Sequence, residues 1–198
     1  SELAIDGQGR GVLLEESGTG IVRAIDASGG TVQVTTTSNL VPDDTQVLTS
    51  NMGSRSVFAW SGTEGLQLSL WSNATASFIT SPIDVSATTG LLAFDDAAGL
   101  LAVRTADGGV SVHDVDANFA TLHSMHNVTG PVAIDGTRDL LLTISPVDAM
   151  LKLINLRDGA LIADLVVDLS SIGEVAALSL ADSNDAVAVL GAAGLTEV

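Results

Sequence analysis

The chain has 198 residues, with 24 acidic against 7 basic side chains and a formal net charge of −17, yet 46% of it is hydrophobic. That apolar content excludes a disordered acidic tail, and with 3% aromatics and no Tyr the core must be aliphatic. A surface this acidic repels nucleic acid and anionic membrane surfaces, and the absence of Cys excludes disulfides, thiolate zinc sites and a Cys nucleophile.

No apolar run approaches the ~20 residues of a membrane span. The best stretch, 175–194, is broken by Asp182, Asn184 and Asp185. No basic, then apolar, leader opens the chain at Ser1. Acid is mostly Asp, and Lys152 is the only lysine. Asp excess with Lys depletion suits high salt, where like-charge repulsion is screened, so a halophilic or marine source fits, as does a GC-rich genome. Lacking Cys, the chain fits either redox compartment; its acidic, Thr-rich composition leans toward a periplasmic or extracellular setting.

Helical periodicity is nearly absent, and short apolar or alternating runs recur between Gly, Asp and Asn turns. The first block is Leu3-Ala4-Ile5-Asp6, followed by a turn at Asp6–Gly9, a strand at Val12–Leu14, an alternating strand at Gly20–Ile25 and a polar strand at Thr31–Thr37. A degenerate copy at Val47–Asn51 leads through a turn to Leu66–Trp71 and a polar strand expected at Ala74–Thr80. The third unit opens at Leu92-Ala93-Phe94-Asp95 and runs through Leu100–Val103, an Asp107-Gly108-Gly109 turn and Val110–His113. The fourth opens at Val132-Ala133-Ile134-Asp135 and continues through Leu140–Ile144 and Leu151–Ile154. The fifth opens at Leu178–Asp182 and has room for two more strands, at Ala186–Leu190 and Leu195–Val198. Residues 5, 49, 94, 134 and 180 share one register, spaced by 44, 45, 40 and 46, which is the period of a four-stranded propeller blade.

The segment Leu92 to Val115, LAFDDAAGLLAVRTADGGVSVHDV, resembles a WD40-type blade, with His113-Asp114 in the place of the Trp-Asp dipeptide. No Gly-His pair precedes an inner strand, and the repeat is equally similar to YVTN and quinoprotein-like propellers. The resemblance implies an all-β fold: a β-propeller of about 4.5 four-stranded blades, roughly 19 strands in one domain, 1–198. Blade boundaries fall near 1–44, 45–89, 90–129, 130–173 and 174–198, the last incomplete. This is either a five-bladed ring with a three-stranded last blade or part of a larger propeller, and the count favours the latter. An unfinished blade exposes unpaired backbone, so the edge near 186–198 is expected to be covered by further blades or a protein partner.

Candidate chemistry is sparse. Asp6, Asp95, Asp135 and Asp182 recur once per blade, as expected of turn residues and not of a carboxylate pair with contrasting environments. Asp114, Asp116 and Asn118 open a D-x-D-x-N calcium pattern, but Phe119 stands where the loop needs Gly and no Glu follows. His113, His123 and His126 are a candidate zinc set of non-standard spacing; one histidine at a strand end and two in loops is the alternative. The Gly7–Gly11 run precedes a strand, where a phosphate loop needs a helix N-terminus. Neither a nucleophile elbow nor a zinc-protease motif occurs. Arg10, Arg55, Arg104 and Arg138 recur near second strands, expected as solvated arginines, with an anion-binding ring as the alternative. No cofactor is expected. The reading that follows is a non-catalytic scaffold or protein-binding propeller. Its alternatives are a quinoprotein-like or hydrolytic enzyme with its site at the channel mouth, and an extracellular filament or surface-lattice subunit.

Overall fold

The computed structural model describes residues 2–15, 20–50, 53–145, 149–168, 175–180, 187–192 and 194–197. Blade 1 is an antiparallel sheet of β1 (Glu2–Ile5), β2 (Arg10–Glu15), β3 (Gly20–Asp26) and β4 (Gln33–Val41), in that spatial order. Blade 2 holds β5 (Gln46–Thr49), β6 (Arg55–Ser61), β7 (Gly65–Ser72), β8 (Ser77–Phe78) and β9 (Ile83–Ser86). Blade 3 is β10 (Thr88–Asp95), β11 (Leu100–Thr105), β12 (Val110–Asp114) and β13 (Ala120–Met125). Blade 4 is β14 (Val132–Asp135), β15 (Leu140–Ser145), β16 (Met150–Asn155) and β17 (Leu161–Val166). Among the described residues blade 5 has three strands, β18 (Val175–Leu180), β19 (Val187–Gly191) and β20 (Gly194–Glu197).

The first strands pack side by side in the order β1, β5, β10, β14, β18, so they line a common axis and the later strands radiate outward. This is a β-propeller arrangement, and Ile5, Thr49, Phe94, Ile134 and Leu180 all fall on first strands. Among the described residues there is no helix long and apolar enough to cross a membrane.

The core lies between blades. Val12, Leu14 and Val22 of blade 1 pack on Phe58, Trp60 and Trp71 of blade 2. The other face of blade 2, with Val57, Leu68 and Leu70, packs on Phe94, Leu101 and Val103 of blade 3. Ala102, Val110 and Val112 meet Leu141 and Ile154 of blade 4, and Leu142, Ile144 and Leu151 meet Val187 and Val189 of blade 5. Alternation along each strand sends successive side chains to opposite blade faces, so a strand flanked by two blades is apolar throughout. Phe58, Trp71 and Phe78 form a ring cluster, with centroids 5.1–5.6 Å apart, that holds much of the aromatic content in one interface.

Blade 2 departs from the expected polar strand at Ala74–Thr80. Its outer strand is split into β8 and β9, both paired with β7, with Pro82 between them. Proline has no N–H to donate to a ladder. Thr80 bridges the gap instead: its Oγ1 accepts the Leu70 N–H at 2.9 Å and its carbonyl accepts the Ser69 hydroxyl at 2.8 Å. The split accounts for 20 strands among the described residues where 19 were expected.

Candidate functional site

The third strand of each complete blade ends on a residue pair in one register: Ile25-Asp26, Trp71-Ser72, His113-Asp114 and Ile154-Asn155. The first residue of each pair is buried. The second caps the turn that follows, as Asp, Asn and Ser side chains do when they accept from backbone two or three residues on. Asp26 accepts from Ser28 N at 2.9 Å, Ser72 from Thr75 N at 3.2 Å, Asp114 from Asp116 N at 2.9 Å and Asn155 from Arg157 N at 2.8 Å. This is the Trp-Asp place of the resembled repeat, in four chemical variants.

The D-x-D-x-N residues are thereby spread over separate tasks. Asp114 caps its turn, and Asp116 reaches across to the Arg55 guanidinium of blade 2. Asn118 takes a left-handed backbone conformation at φ 54°. Among the described residues no group of three or more His, Asp or Glu gathers that could hold a metal ion.

The histidines also diverge. His113 is buried on β12, where Nδ1 lies 2.9 Å from the Phe119 carbonyl oxygen and Nε2 lies 2.8 Å from Ser111 Oγ. A carbonyl only accepts, so Nδ1 carries the proton, Nε2 is bare, and the Ser111 hydroxyl donates to it. Burial holds the His113 pKa below the usual imidazole range, outweighing the stabilising bond to the Phe119 carbonyl, so the ring is neutral at pH 7. His126 is exposed, with Nδ1 2.9 Å from Asp107 Oδ2. His123 lies on β13, not in a loop, and its ring packs against Gly159, whose φ of +69° and missing Cβ leave room for it.

A cleft of about 350 Å³ runs between the outer parts of blades 2 and 3 and brings His113 and His126 into one wall, but not His123. Its lining is rich in hydroxyls: Ser86 from blade 2, and Thr105, Ser111, Thr121 and Ser124 from blade 3. Asp107 sits at its rim with its pKa lowered to about 2 by the Thr105 hydroxyl, the Gly109 N–H and His126.

The recurring aspartates staple blades as well as turns. Asp6 accepts from Gln8 N and Arg10 N in its own turn and from Asn73 Nδ2 of blade 2 at 3.3 Å. Asp95 accepts from Gly136 N of blade 4 at 2.8 Å, whereas Asp135 closes its own turn through Thr137 and Arg138. Asp182 lies outside the described residues. Asp96, one residue past the repeat position, accepts from Ser54 N at 2.7 Å and Arg55 N at 3.0 Å and pairs with the Arg55 guanidinium. Sequence reasoning passed over Asp96; the doubled Asp95-Asp96 was the available signal.

The arginines expected to be solvated are structural clamps. Arg55 joins blades 2 and 3 through Asp96 and Asp116. Arg104 donates to the Val128 and Gly130 carbonyl oxygens, tying β11 to the linker into blade 4. Arg10 lies 3.9 Å from Asp6, and Arg138 lies 2.6 Å from Asp135.

No protein-family model and no curated protein sequence matches the chain. The fold does match solved structures. One is a crystal structure of a mitotic checkpoint complex, with a TM-score of 0.63 at 13% identity over 96% of this chain and 56% of that one. Another is Kluyvelomyces marxianus Hsv2, with a TM-score of 0.55 at 13% identity over 99% of this chain and 70% of that one. The chain thus spans little more than half the length of the first of these, and what the two likenesses share with it is a WD40-like propeller fold.

Proposed function

We propose that the chain is a non-catalytic propeller scaffold that engages protein partners along the aliphatic outer strand of blade 4 and the neighbouring edge near residues 186–198. The observation that carries this reading is the outer strand of blade 4, β17, which exposes Leu161, Ile162, Leu165 and Val166. Leu165 pairs with Leu151, whose side chain packs toward blade 5, so a further strand laid beside β20 would cover Leu165. Long aliphatic edges recruit another strand, and charge guards them only against random association. One solved propeller of this fold comes from a multiprotein complex, which supports a partner-binding role.

Hydrogen exchange on the monomeric chain tests the proposal. Rapid exchange at 187–197, set against protection of 100–104, is expected. Equal protection of the two segments in a monomer would mean a self-closed edge and sink the reading.

The hydrolytic alternative has one observation in its favour, the Ser111 hydroxyl donating to a neutral His113 at the wall of the cleft, which is the nucleophile–base pairing of acyl transfer. Covalent labelling of Ser111 by a fluorophosphonate, lost in Ser111→Ala, would carry it; an unlabelled chain leaves Ser111 and His113 as a satisfied core pair.

A further inference from the structure

The cleft between blades 2 and 3 opens where blade 3 is polar and blade 2, at the same place, is aromatic. In blade 2, Trp71 pairs with Phe78 on the next strand, and with Phe58 these rings fill the interface with blade 1. His113 holds the register of Trp71, but its partner on β13 is Thr121, and Ser111 pairs with Ser124. Hydroxyls are smaller than rings, and about 350 Å³ is left open. Ser111 and His113 are buried at the bottom of this space, while Asp107 and His126 are exposed at its mouth.

The polar atoms there have a common bias. The Ser111 hydroxyl hydrogen is taken by His113 and that of Thr105 by Asp107, so both oxygens have only lone pairs left to offer. Asp107 is ionised far below neutral pH. Its Oδ1 accepts from Thr105 and Gly109 N, and its Oδ2 accepts from His126 alone, which leaves Oδ2 a lone pair for a further donor. Among the described residues no Lys or Arg pairs with Asp107; Arg104, at the start of the same turn, is bound to the Val128 and Gly130 carbonyl oxygens. Between these acceptors the wall is apolar, with Ala87, Ala106 and Met125. An acceptor-rich cleft with one carboxylate at its mouth and an apolar wall fits a group that brings N–H donors, a positive charge and a short alkyl stem. The −17 of the whole chain concentrates cations around it.

We infer that the cleft between blades 2 and 3 is a binding site for an organic cation, an alkylguanidinium or alkylammonium group whose head meets Asp107 and whose stem lies along Ala87, Ala106 and Met125. The group is carried either by a small free amine or by an Arg or Lys side chain of another protein. The site stands apart from the outer strand of blade 4, so its failure would leave the scaffold reading untouched.

Titration of the intact, isotopically labelled chain with N-butylguanidinium in moderate salt, followed by amide NMR, tests this. Saturable shifts are expected around Thr105, Asp107, Ser111 and Ser124, and the neutral isostere N-butylurea should not produce them. Asp107→Asn, which keeps an acceptor for the turn, should weaken binding at least about tenfold, as loss of a charge-assisted bond predicts. Ser124→Leu, which fills the cleft from an exposed position without changing charge, should weaken it as well. Asp43→Asn, an equal charge change at an exposed residue outside the cleft, should leave it unchanged. The peptide Gly-Gly-Arg-Gly-Gly separates the two sources: tighter binding than the free cation identifies a protein side chain, and weaker binding a small amine. Equal shifts from N-butylurea, the absence of saturable shifts at the cleft, or equal losses in Asp43→Asn and Asp107→Asn would overturn the inference.

Discussion

Blades 1 and 3 present the same kind of surface toward the preceding position around the axis, and among the described residues only blade 3 has it covered by another blade. On blade 3, Phe94, Leu101 and Val103 lie under Val57, Leu68 and Leu70 of blade 2, and Asp96 with Arg55 ties the two sheets together at the inner end. On blade 1, Leu3, Ile5 and Leu40 hold comparable places and stand in water. The strands are alike in pattern, so what differs is the neighbour. A propeller blade is therefore half a structure: its sequence specifies two apolar faces, and stability is realised only where another blade meets each of them.

The comparison breaks most directly on paired truncations. Leu101→Ala should cost about 2–5 kcal/mol by loss of buried area and creation of a cavity, whereas Leu3→Ala should fall within about 0.5 kcal/mol in the monomer. Urea unfolding of both variants in dilute, low-salt buffer reads this, and equal costs would mean that blade 1 is covered after all.

Next in size is the ionic clamp. Asp96→Ala strips two backbone N–H groups and a mostly buried guanidinium of their acceptor, and should cost about 2–3 kcal/mol. The exposed Arg157–Asp139 pair is the control, and Arg157→Ala should leave stability nearly unchanged. Comparable losses at the two sites would remove the case for Asp96 as an inter-blade staple.

A pH series sharpens the contrast further. His113 is held neutral by burial between blades 2 and 3, with its pKa below the usual 6.5. The unfolded chain then binds a proton that the folded chain refuses, so stability falls as pH drops below about 6.5 and levels off beneath the folded pKa. His113→Gln should flatten that slope. Melting temperatures between pH 5 and 7 decide the point. The smallest effect is expected from salt. With −17 spread over the whole surface, the melting temperature should rise with NaCl, and a flat or falling midpoint would show that self-repulsion is unimportant.

Much of the architecture was legible in the residues. The returning block at 5, 49, 94, 134 and 180 marks the five first strands, because one inner strand per blade must be apolar and must end in a turn that Asp, Asn or Ser can cap. The broken outer strand of blade 2 was not anticipated, although Pro82 gave notice of it. The site was less legible. His123 sits on a strand and not in a loop, and Arg55 and Arg104 clamp blades where solvated side chains were expected. Those roles depend on partners 24 to 61 residues away, which no local pattern reveals.

The sequence by itself determined the strand period, the turn chemistry and the apolar character of the blade faces, since these follow from alternation and from the hydrogen-bonding habits of Asp, Asn, Ser and Gly. Tertiary structure alone decided which of those faces are buried. It made Asp96 a staple and Asp114 a turn cap, held His113 neutral beside Ser111, and left Leu3, Leu40 and Leu190 exposed. The physical reason is that burial and long-range pairing are properties of two surfaces meeting, and a strand encodes only its own side of the contact.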